Sequence, residues 1–202
     1  MEKLIKLLVE KYNIHTLFLY GSRTTETFFP ESDYDILAIR KDGSRVREVF
    51  AFENLSVDLI VDNEDLINYP ENFIYLWSSQ LLLDEQGFGK KILDVHRKYL
   101  LQPAVKLSQN RTTQRLKQIQ DELKYIKQDN ILGHYRHHDL LSKILPLYFN
   151  LIGEWYLGDK HALKWLEKNK PEFFRIISKA LQPGASFEQI EQLVNYVCNL
   201  KE

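Results

Sequence analysis

The sequence has very little cysteine: among its 202 residues, Cys198 stands alone. A single cysteine excludes an intramolecular disulfide and a zinc site built on several cysteines, and it is typical of a reducing compartment. Long apolar runs are also missing, since none approaches the roughly 18 residues of a membrane span. Residues 1–12 read as an amphipathic helix without a signal-peptide cleavage pattern. We therefore expect a cytoplasmic protein with no membrane partner.

Excess charge of either sign is absent as well, because 27 basic residues balance 28 acidic ones and the formal net charge is −1. A protein that binds long nucleic acid needs a positive surface to displace counterions from the phosphates. The balance therefore predicts no long nucleic-acid partner. The chain is 44% hydrophobic and 12% aromatic, which excludes general disorder and is enough for one large or two small cores.

The most informative stretch begins with a glycine-serine pair after a short β-prone run. Residues 16–20 favour a strand, and Gly21 ends it where the backbone must turn. Glycine there leaves room for a phosphate. Ser22 and Arg23 follow at a predicted helix start, where free N–H groups favour an anion. The pattern predicts a phosphate-binding turn.

Two carboxylates follow ten residues later, in Asp33-Tyr34-Asp35 at the start of an apolar run. In a strand, alternate side chains project from the same face, so Asp33 and Asp35 would point toward one place. Magnesium prefers oxygen ligands and usually keeps water and substrate phosphates in its shell. The spacing therefore predicts a magnesium site beside the phosphate-binding turn.

This arrangement resembles the signature of the nucleotidyltransferase superfamily, which includes DNA polymerase β, minimal bacterial nucleotidyltransferases and the enzymes that modify aminoglycoside and lincosamide antibiotics. Members carry a third carboxylate on a later strand, and Asp58 within the apolar run of residues 57–61 resembles it. The resemblance implies a catalytic trio of Asp33, Asp35 and Asp58 that binds Mg²⁺, with ATP or another nucleoside triphosphate as co-substrate. Many members have a second glycine where this chain has Glu26.

The strands around the third carboxylate can be placed from their pattern. Residues 46–52 and 55–61 are predicted strands, and Lys41-Asp42-Gly43-Ser44 is typical of a hairpin turn with Asp-Gly at its centre. Asp58 can face the aspartate pair only if the strand register brings those faces together, and the sequence leaves that open.

The pattern changes near residue 100 from β-rich sequence to helical periodicity. We predict an α+β protein, with a mixed sheet flanked by helices in residues 1–100 and a helical bundle in residues 101–202. Residues 134–157 are predicted as one long helix that contains Pro146 and ends at Gly158. By resemblance to the antibiotic-type enzymes, the helical domain would bind the acceptor.

In the helical half, residues 154–166 also resemble a stretch of the antibiotic-type nucleotidyltransferases. Lys160 matches a lysine that reaches the nucleotide triphosphate in such enzymes, where it would neutralise charge on the departing pyrophosphate. Glu154 is a candidate general base for the acceptor hydroxyl, and a surface carboxylate is an equally good interpretation. The resemblance also leaves open a homodimer in which one subunit completes the cleft of the other.

Three functions fit these patterns. The first is a magnesium-dependent transfer of a nucleoside monophosphate, AMP from ATP, to a hydroxyl of a small molecule such as an aminoglycoside or lincosamide. The second is adenylylation of a protein partner, as in antitoxins of the minimal type. The third is a non-catalytic nucleotide-binding protein. The helical domain favours the first, because a protein-modifying enzyme needs only a compact core.

Overall fold

The computed structural model describes residues 1–25 and 29–200. The chain divides into two compact units, Met1–Gln102 and Pro103–Glu202. The first unit, called the sheet unit here, contains α1 (Glu2–Tyr12), β1 (Ile14–Tyr20), β2 (Tyr34–Arg40), β3 (Val46–Phe52), β4 (Leu55–Asn63), β5 (Gln80–Asp84) and α2 (Phe88–Leu100), with short 3₁₀ helices at Gly21–Thr24, Glu64–Asn68 and Pro70–Ser78. The second unit, called the helical unit, contains α3 (Gln109–Ile126), α4 (Ile131–Ile152), α5 (Asp159–Asn169), α6 (Pro171–Ala180) and α7 (Phe187–Cys198).

Within the described residues, the strands form one five-stranded sheet in the order β3-β4-β2-β1-β5. Strands β2 and β4 are parallel, and the other neighbouring pairs are antiparallel. A mixed sheet with flanking helices, followed by a helical second part, confirms the predicted α+β class.

Each face of the sheet is covered by a different helical layer. One face packs on α1, whose Leu4 and Leu8 are buried against strand residues such as Ile36 and Leu59. The other face packs on α2 and the 3₁₀ helix Pro70–Ser78, where Phe73 and Ile92 are fully buried. Because side chains alternate along a strand, the residues at positions 35, 37 and 39 belong to this second face.

The predicted hairpin at residues 41–44 is wrong, because β4 lies between β2 and β3 in the sheet. The tight turn is instead Glu53-Asn54, which joins β3 to β4 and pairs Phe52 with Leu55. Glu53 and Asn54 have φ of 47° and 68°. A two-residue type I′ turn requires positive φ at both central positions, and Asp-Gly is only its commonest sequence.

The helical unit has its own hydrophobic core. Helices α3 to α7 all contribute buried side chains to it, and Phe173 of α6 stacks on Tyr148 of α4 with ring centroids 3.8 Å apart. Burial raises the pKa of Tyr148 to about 12. This unit therefore contains an extensive apolar interior that is separate from the sheet.

Helix α4 ends at Gly153 and not at Gly158 as predicted. Gly153 has a φ of 74°, and the N–H of Glu154 donates to the carbonyl of Phe149 at 3.0 Å, which closes the last turn. Gly158 instead precedes α5. The two glycines are five residues apart, and the apolar residues between them continue the helical pattern, so periodicity alone selected the wrong one.

Among the residues that the structure describes, no helix is both long and apolar enough to cross a membrane.

Candidate active site

The strand register brings two of the three predicted carboxylates together. Asp35 of β2 is the register partner of Asp58 of β4, and these strands are parallel. Register partners in adjacent strands share a face, so both side chains lie on the same side of the sheet. Tyr20, the last residue of β1, is the register partner of Asp35 on its other side. Asp33 precedes β2 and is exposed. The register that the sequence left open therefore places Asp58 beside Asp35.

Gly21 occupies a position that other residues cannot easily take. Its φ is 74°, and a Cβ atom there would collide with the carboxylate of Asp35, lying only 2.9 Å from its Cγ. The glycine is thus required both by the backbone conformation and by the close approach of the carboxylate. The predicted role of Gly21 in making room for a phosphate stays a prediction.

The turn after Gly21 is a short 3₁₀ helix, Gly21–Thr24, so the structure shows no α-helix starting at Ser22 within the described residues. The hydroxyl of Thr24 donates to the carbonyl of Gly21 at 2.8 Å, and the hydroxyl of Thr25 donates to the carbonyl of Ser22 at 2.8 Å. Side chains that bond the local backbone in this way compete with helix continuation. Glu26, where many relatives have glycine, lies outside the described residues.

A second contact ties this turn to the helical layer of the sheet unit. The hydroxyls of Thr24 and Ser78 are 3.1 Å apart, and Ser78 ends the 3₁₀ helix Pro70–Ser78. Nearby in the same layer, the rings of Tyr20 and Tyr75 have centroids 4.5 Å apart. Burial raises the pKa of Tyr20, and the charges of Asp35 and Asp58 add to the effect. The turn is therefore held from two sides.

Arg23 supports the segment that leads into Asp33. Its Nε donates to the carbonyl of Ser32 at 2.7 Å, and its Nη2 donates to the carbonyl of Pro30 at 2.8 Å. Its guanidinium also lies 4.2 Å from the centre of the Tyr34 ring. These contacts hold the backbone just before Asp33 and the side-chain ring just after it. A phosphate contact from Arg23, which the motif predicts, stays a prediction.

The two register-matched aspartates have opposite electrostatic environments. Burial raises the pKa of the half-buried Asp35 carboxyl, and the neighbouring charges of Asp58 and Asp33 raise it further. Hydrogen bonds from Arg47 instead hold the pKa of the Asp58 carboxyl below its usual range. Asp58 is therefore the more firmly ionised of the two, and negative charge at Asp35 is unfavourable.

Arg47 was not recognised as a site residue from the sequence. It lies on the edge strand β3, and its guanidinium contacts both oxygens of Asp58, with Nε to Oδ1 at 3.0 Å and Nη2 to Oδ2 at 2.6 Å. In Val-Arg-Glu-Val-Phe-Ala-Phe, residues 46–52, an arginine looks like an ordinary solvent-facing residue. The turn at Glu53-Asn54 is the signal that was missed, because it fixes Val49 opposite Asp58 and puts Arg47 on the same face.

The donor set fits a metal ion in part. Among residues 1–25 and 29–200, no group of three or more His, Cys, Asp and Glu side chains is arranged to hold a metal. Asp33 and Asp35 nevertheless suit magnesium, which one or two carboxylates commonly bind together with water and substrate phosphates. Burial raises the pKa of Asp35, the charges of Asp58 and Asp33 raise it further, and a cation would relieve the repulsion between these carboxylates. Asp58 fits best when Arg47 releases it, since each of its oxygens already accepts a hydrogen bond from that side chain.

Two predicted site residues belong to the helical unit. Lys160 is exposed in the first turn of α5, and Glu154 is exposed in the segment between α4 and α5. In that segment the hydroxyl of Tyr156 donates to the carboxylate of Asp159, the first residue of α5. The predicted roles of Lys160 and Glu154 stay predictions.

Comparison with known proteins agrees with the geometry of the sheet unit. Residues 2–82 match the family model described as Polymerase beta, Nucleotidyltransferase. The match covers most of the sheet unit and agrees with the resemblance that its motifs predicted. The match does not reach the helical unit.

Among solved structures, the chain is similar to a nucleotidyltransferase-like protein from Exiguobacterium sibiricum 255-15, with 12% identity, a TM-score of 0.45, and coverage of 98% of this chain and 73% of that one. No curated protein sequence gives a significant match.

Proposed function

We propose that this protein transfers a nucleoside monophosphate, AMP from ATP, to a hydroxyl group of a small molecule and releases pyrophosphate. The family of the sheet unit supports nucleotidyl transfer in general. The observation that carries the finer proposal is the register match of Asp35 with Asp58 beside Gly21. Oxygen donors and a close-packed glycine turn then lie in one place, as transfer from a nucleoside triphosphate requires.

The carboxylates provide the charge that the reaction needs. Asp33 and Asp35 would hold a divalent cation, which when bound supplies neutralisation of the triphosphate and lowers the pKa of an attacking hydroxyl. Asp58 would join them as a ligand when Arg47, which donates to both of its oxygens, has released it. Gly21 lets the triphosphate approach the backbone without a side chain in the way. Positioning and charge placement are thus the main contributions of these residues.

The helical unit is the proposed source of the acceptor-binding and pyrophosphate-binding residues. Lys160 would stabilise negative charge on the leaving pyrophosphate, and Glu154 would take the proton of the acceptor hydroxyl. Both are exposed, which keeps them accessible to a substrate. The balanced net charge of −1 supports a small acceptor over a polynucleotide, because phosphate-backbone binding needs a positive surface.

The test is an assay with ATP labelled in its α-phosphate, magnesium, and a panel of hydroxylated small molecules that includes aminoglycosides and lincosamides. A labelled small product is the expected result. Label in a polypeptide would instead support adenylylation of a protein. Label in neither would overturn nucleotidyl transfer and leave a nucleotide-binding role.

A matched pair of variants links the product to the site. Asp35→Asn should reduce turnover at least about 100-fold, because a preorganised charge at the reacting phosphate is lost. Asp62→Asn removes a carboxylate from the same sheet, four residues beyond Asp58 on β4, and should leave turnover within about twofold. Equal turnover in both variants would remove Asp35 from the mechanism.

A further inference from the structure

Asp58 is held in a two-point contact that leaves neither of its oxygens uncommitted. Arg47 donates from Nε to Oδ1 at 3.0 Å and from Nη2 to Oδ2 at 2.6 Å. The forked geometry of a guanidinium matches the two oxygens of a carboxylate, so this is the stronger form of an ion pair. The third carboxylate of the proposed site is therefore already neutralised by a cation of the chain itself.

The position of Arg47 makes this contact reversible. The residue lies on the edge strand β3, and 67% of its side chain is exposed, against 21% for Asp58. Because the arginine is exposed, water solvates it well after separation, which keeps the free energy of even a two-point contact modest. Arg47 can therefore leave Asp58 without disturbing the core, whereas Asp58 is fixed by its place in the central strand β4.

A divalent cation and Arg47 would compete for the same two atoms. Each carboxylate oxygen has two lone pairs, and the forked contact of Arg47 takes one on each, so the guanidinium occupies the side of Asp58 where a cation could contact both oxygens together. Two cations close to one carboxylate also repel each other. Occupation by the guanidinium and by the metal is thus unfavourable at the same time.

We infer that Arg47 is a reversible clamp on Asp58 that a divalent cation must displace when the site is loaded. The clamp compensates the adjacent Asp35 and Asp58 while the site is empty of cation, and it orients the Asp58 carboxylate on the face that carries the site. This inference rests on the proposed function, because it concerns the same metal-dependent site. It makes Arg47 a positioning residue that sets how readily the site accepts a cation.

The experiment measures Mn²⁺ binding to the full chain by electron paramagnetic resonance of the free ion, without nucleotide. Arg47→Gln should bind Mn²⁺ about fivefold more tightly than the wild type, the ratio that corresponds to an exposed ion pair. Arg45→Gln is the matched control, because Arg45 pairs with Asp62 at 3.7 Å beside the same strand and does not hold Asp58. It should bind within about twofold of the wild type.

Arg47→Lys separates the forked contact from the charge. Lysine keeps the positive charge but cannot contact both oxygens in the same planar geometry. We expect its Mn²⁺ affinity to lie between those of the wild type and Arg47→Gln. An affinity equal to that of the wild type would show that charge alone matters and would overturn the clamp. This variant also keeps the test open if Arg47→Gln does not fold.

Thermal unfolding gives a readout that a merely structural arginine would not produce. Without divalent cations, Arg47→Gln should have a lower Tm than the wild type, because Asp35 and Asp58 lose their compensating charge. Saturating Mn²⁺ should close that gap, since the ion replaces the missing cation. Arg45→Gln should show the same difference from the wild type with and without Mn²⁺. A gap for Arg47→Gln that persists in Mn²⁺ would contradict the inference.

The outcomes separate the two proposals. If the wild type binds Mn²⁺, Asp35→Asn does not, and Arg47→Gln binds no more tightly than the wild type, the metal site stands and the clamp is wrong. If neither the wild type nor Arg47→Gln binds Mn²⁺, both the clamp and the metal dependence of the proposed function fall. Binding by Arg47→Gln alone would support the clamp in its strongest form.

Discussion

In the helical unit, Tyr148, Phe173 and Tyr196 stack ring on ring, with centroids 3.8 Å and 5.2 Å apart. In the sheet unit, by contrast, Asp35 and Asp58 are neighbours in the ladder, and their repulsion contributes to the raised pKa of Asp35. The first arrangement buries apolar surface and stabilises the fold. The second is unfavourable for folding, because two carboxylates repel each other, and it is typical of functional sites. The comparison suggests that substitutions in the two units should separate stability from activity.

The largest expected effect is on the aromatic stack of the helical unit. Phe173→Ala should lower the free energy of unfolding by about 3–5 kcal/mol, because it removes a fully buried ring and leaves a cavity between Tyr148 and Tyr196. Phe174→Ala is the matched control, since its ring is only partly buried. Denaturant unfolding measures both. A smaller loss for Phe173→Ala than for Phe174→Ala would show that the stack is not the main source of stability.

A second prediction concerns the glycine of the candidate site. Gly21→Ala should cost about 1–2 kcal/mol from the left-handed backbone alone and more from the collision with Asp35, and nucleotidyl transfer should fall with it. Gly87→Ala has the same backbone cost, at a φ of 70°, but its Cβ would meet nothing within 4 Å. Comparing Tm and turnover of the two variants isolates the collision. If Gly21→Ala and Gly87→Ala lost Tm and turnover equally, the collision with Asp35 would have no measurable effect.

The smallest expected effect is a pH dependence of stability. Asp35 has a raised pKa in the folded protein, so it favours folding only while it is protonated. The free energy of unfolding therefore falls as the pH rises from the ordinary pKa of 3.8 to the raised pKa of the folded protein. Asp35→Asn removes this loss and should be more stable than the wild type at pH 7 by less than about 1 kcal/mol, although its turnover should be lower.

Asp58 should affect the pH dependence of stability in the opposite direction to Asp35. Hydrogen bonds from Arg47 lower the pKa of Asp58 in the folded protein. Asp58 therefore contributes to stability at pH values above its ordinary pKa of 3.8, and this contribution is lost as the pH falls toward the lowered pKa. Asp58→Asn should therefore be less stable than the wild type at pH 7. Urea unfolding between pH 3 and pH 7 without divalent cations measures both variants. If Asp35→Asn and Asp58→Asn changed the free energy of unfolding at pH 7 in the same direction, the opposite electrostatic environments assigned to the two carboxyls would be wrong.

Much of the sheet unit could be predicted because its signals are local. Alternation placed Asp35 and Asp58 on strands, and the lack of a side chain at Gly21 marked the turn. The strand order could not be read, because residues 41–44 carry the commoner turn sequence while the actual hairpin is at Glu53-Asn54. Strand neighbours depend on contacts distant in sequence, which local propensity does not contain.

The role of Arg47 was missed for the same reason. Its side chain becomes a site residue only through the pairing of β3 with β4, and nothing within residues 46–52 distinguishes it from a solvent-facing arginine. The end of α4 failed differently, because Gly153 and Gly158 are equally good helix terminators by sequence. Only the bonds from Gly153 to Asn150 and from Glu154 to Phe149 decide between them.

The two-residue turn at Glu53-Asn54 has an evolutionary consequence. Because its length sets which side chains of β3 share a face with Asp58, inserting one residue there would exchange the two faces of the strand. Glu48 would then replace Arg47 as the neighbour of the aspartates, adding a further acid where a base now stands. Loop length, more than the identity of any nearby side chain, would convert a self-compensated site into one that depends on external cations.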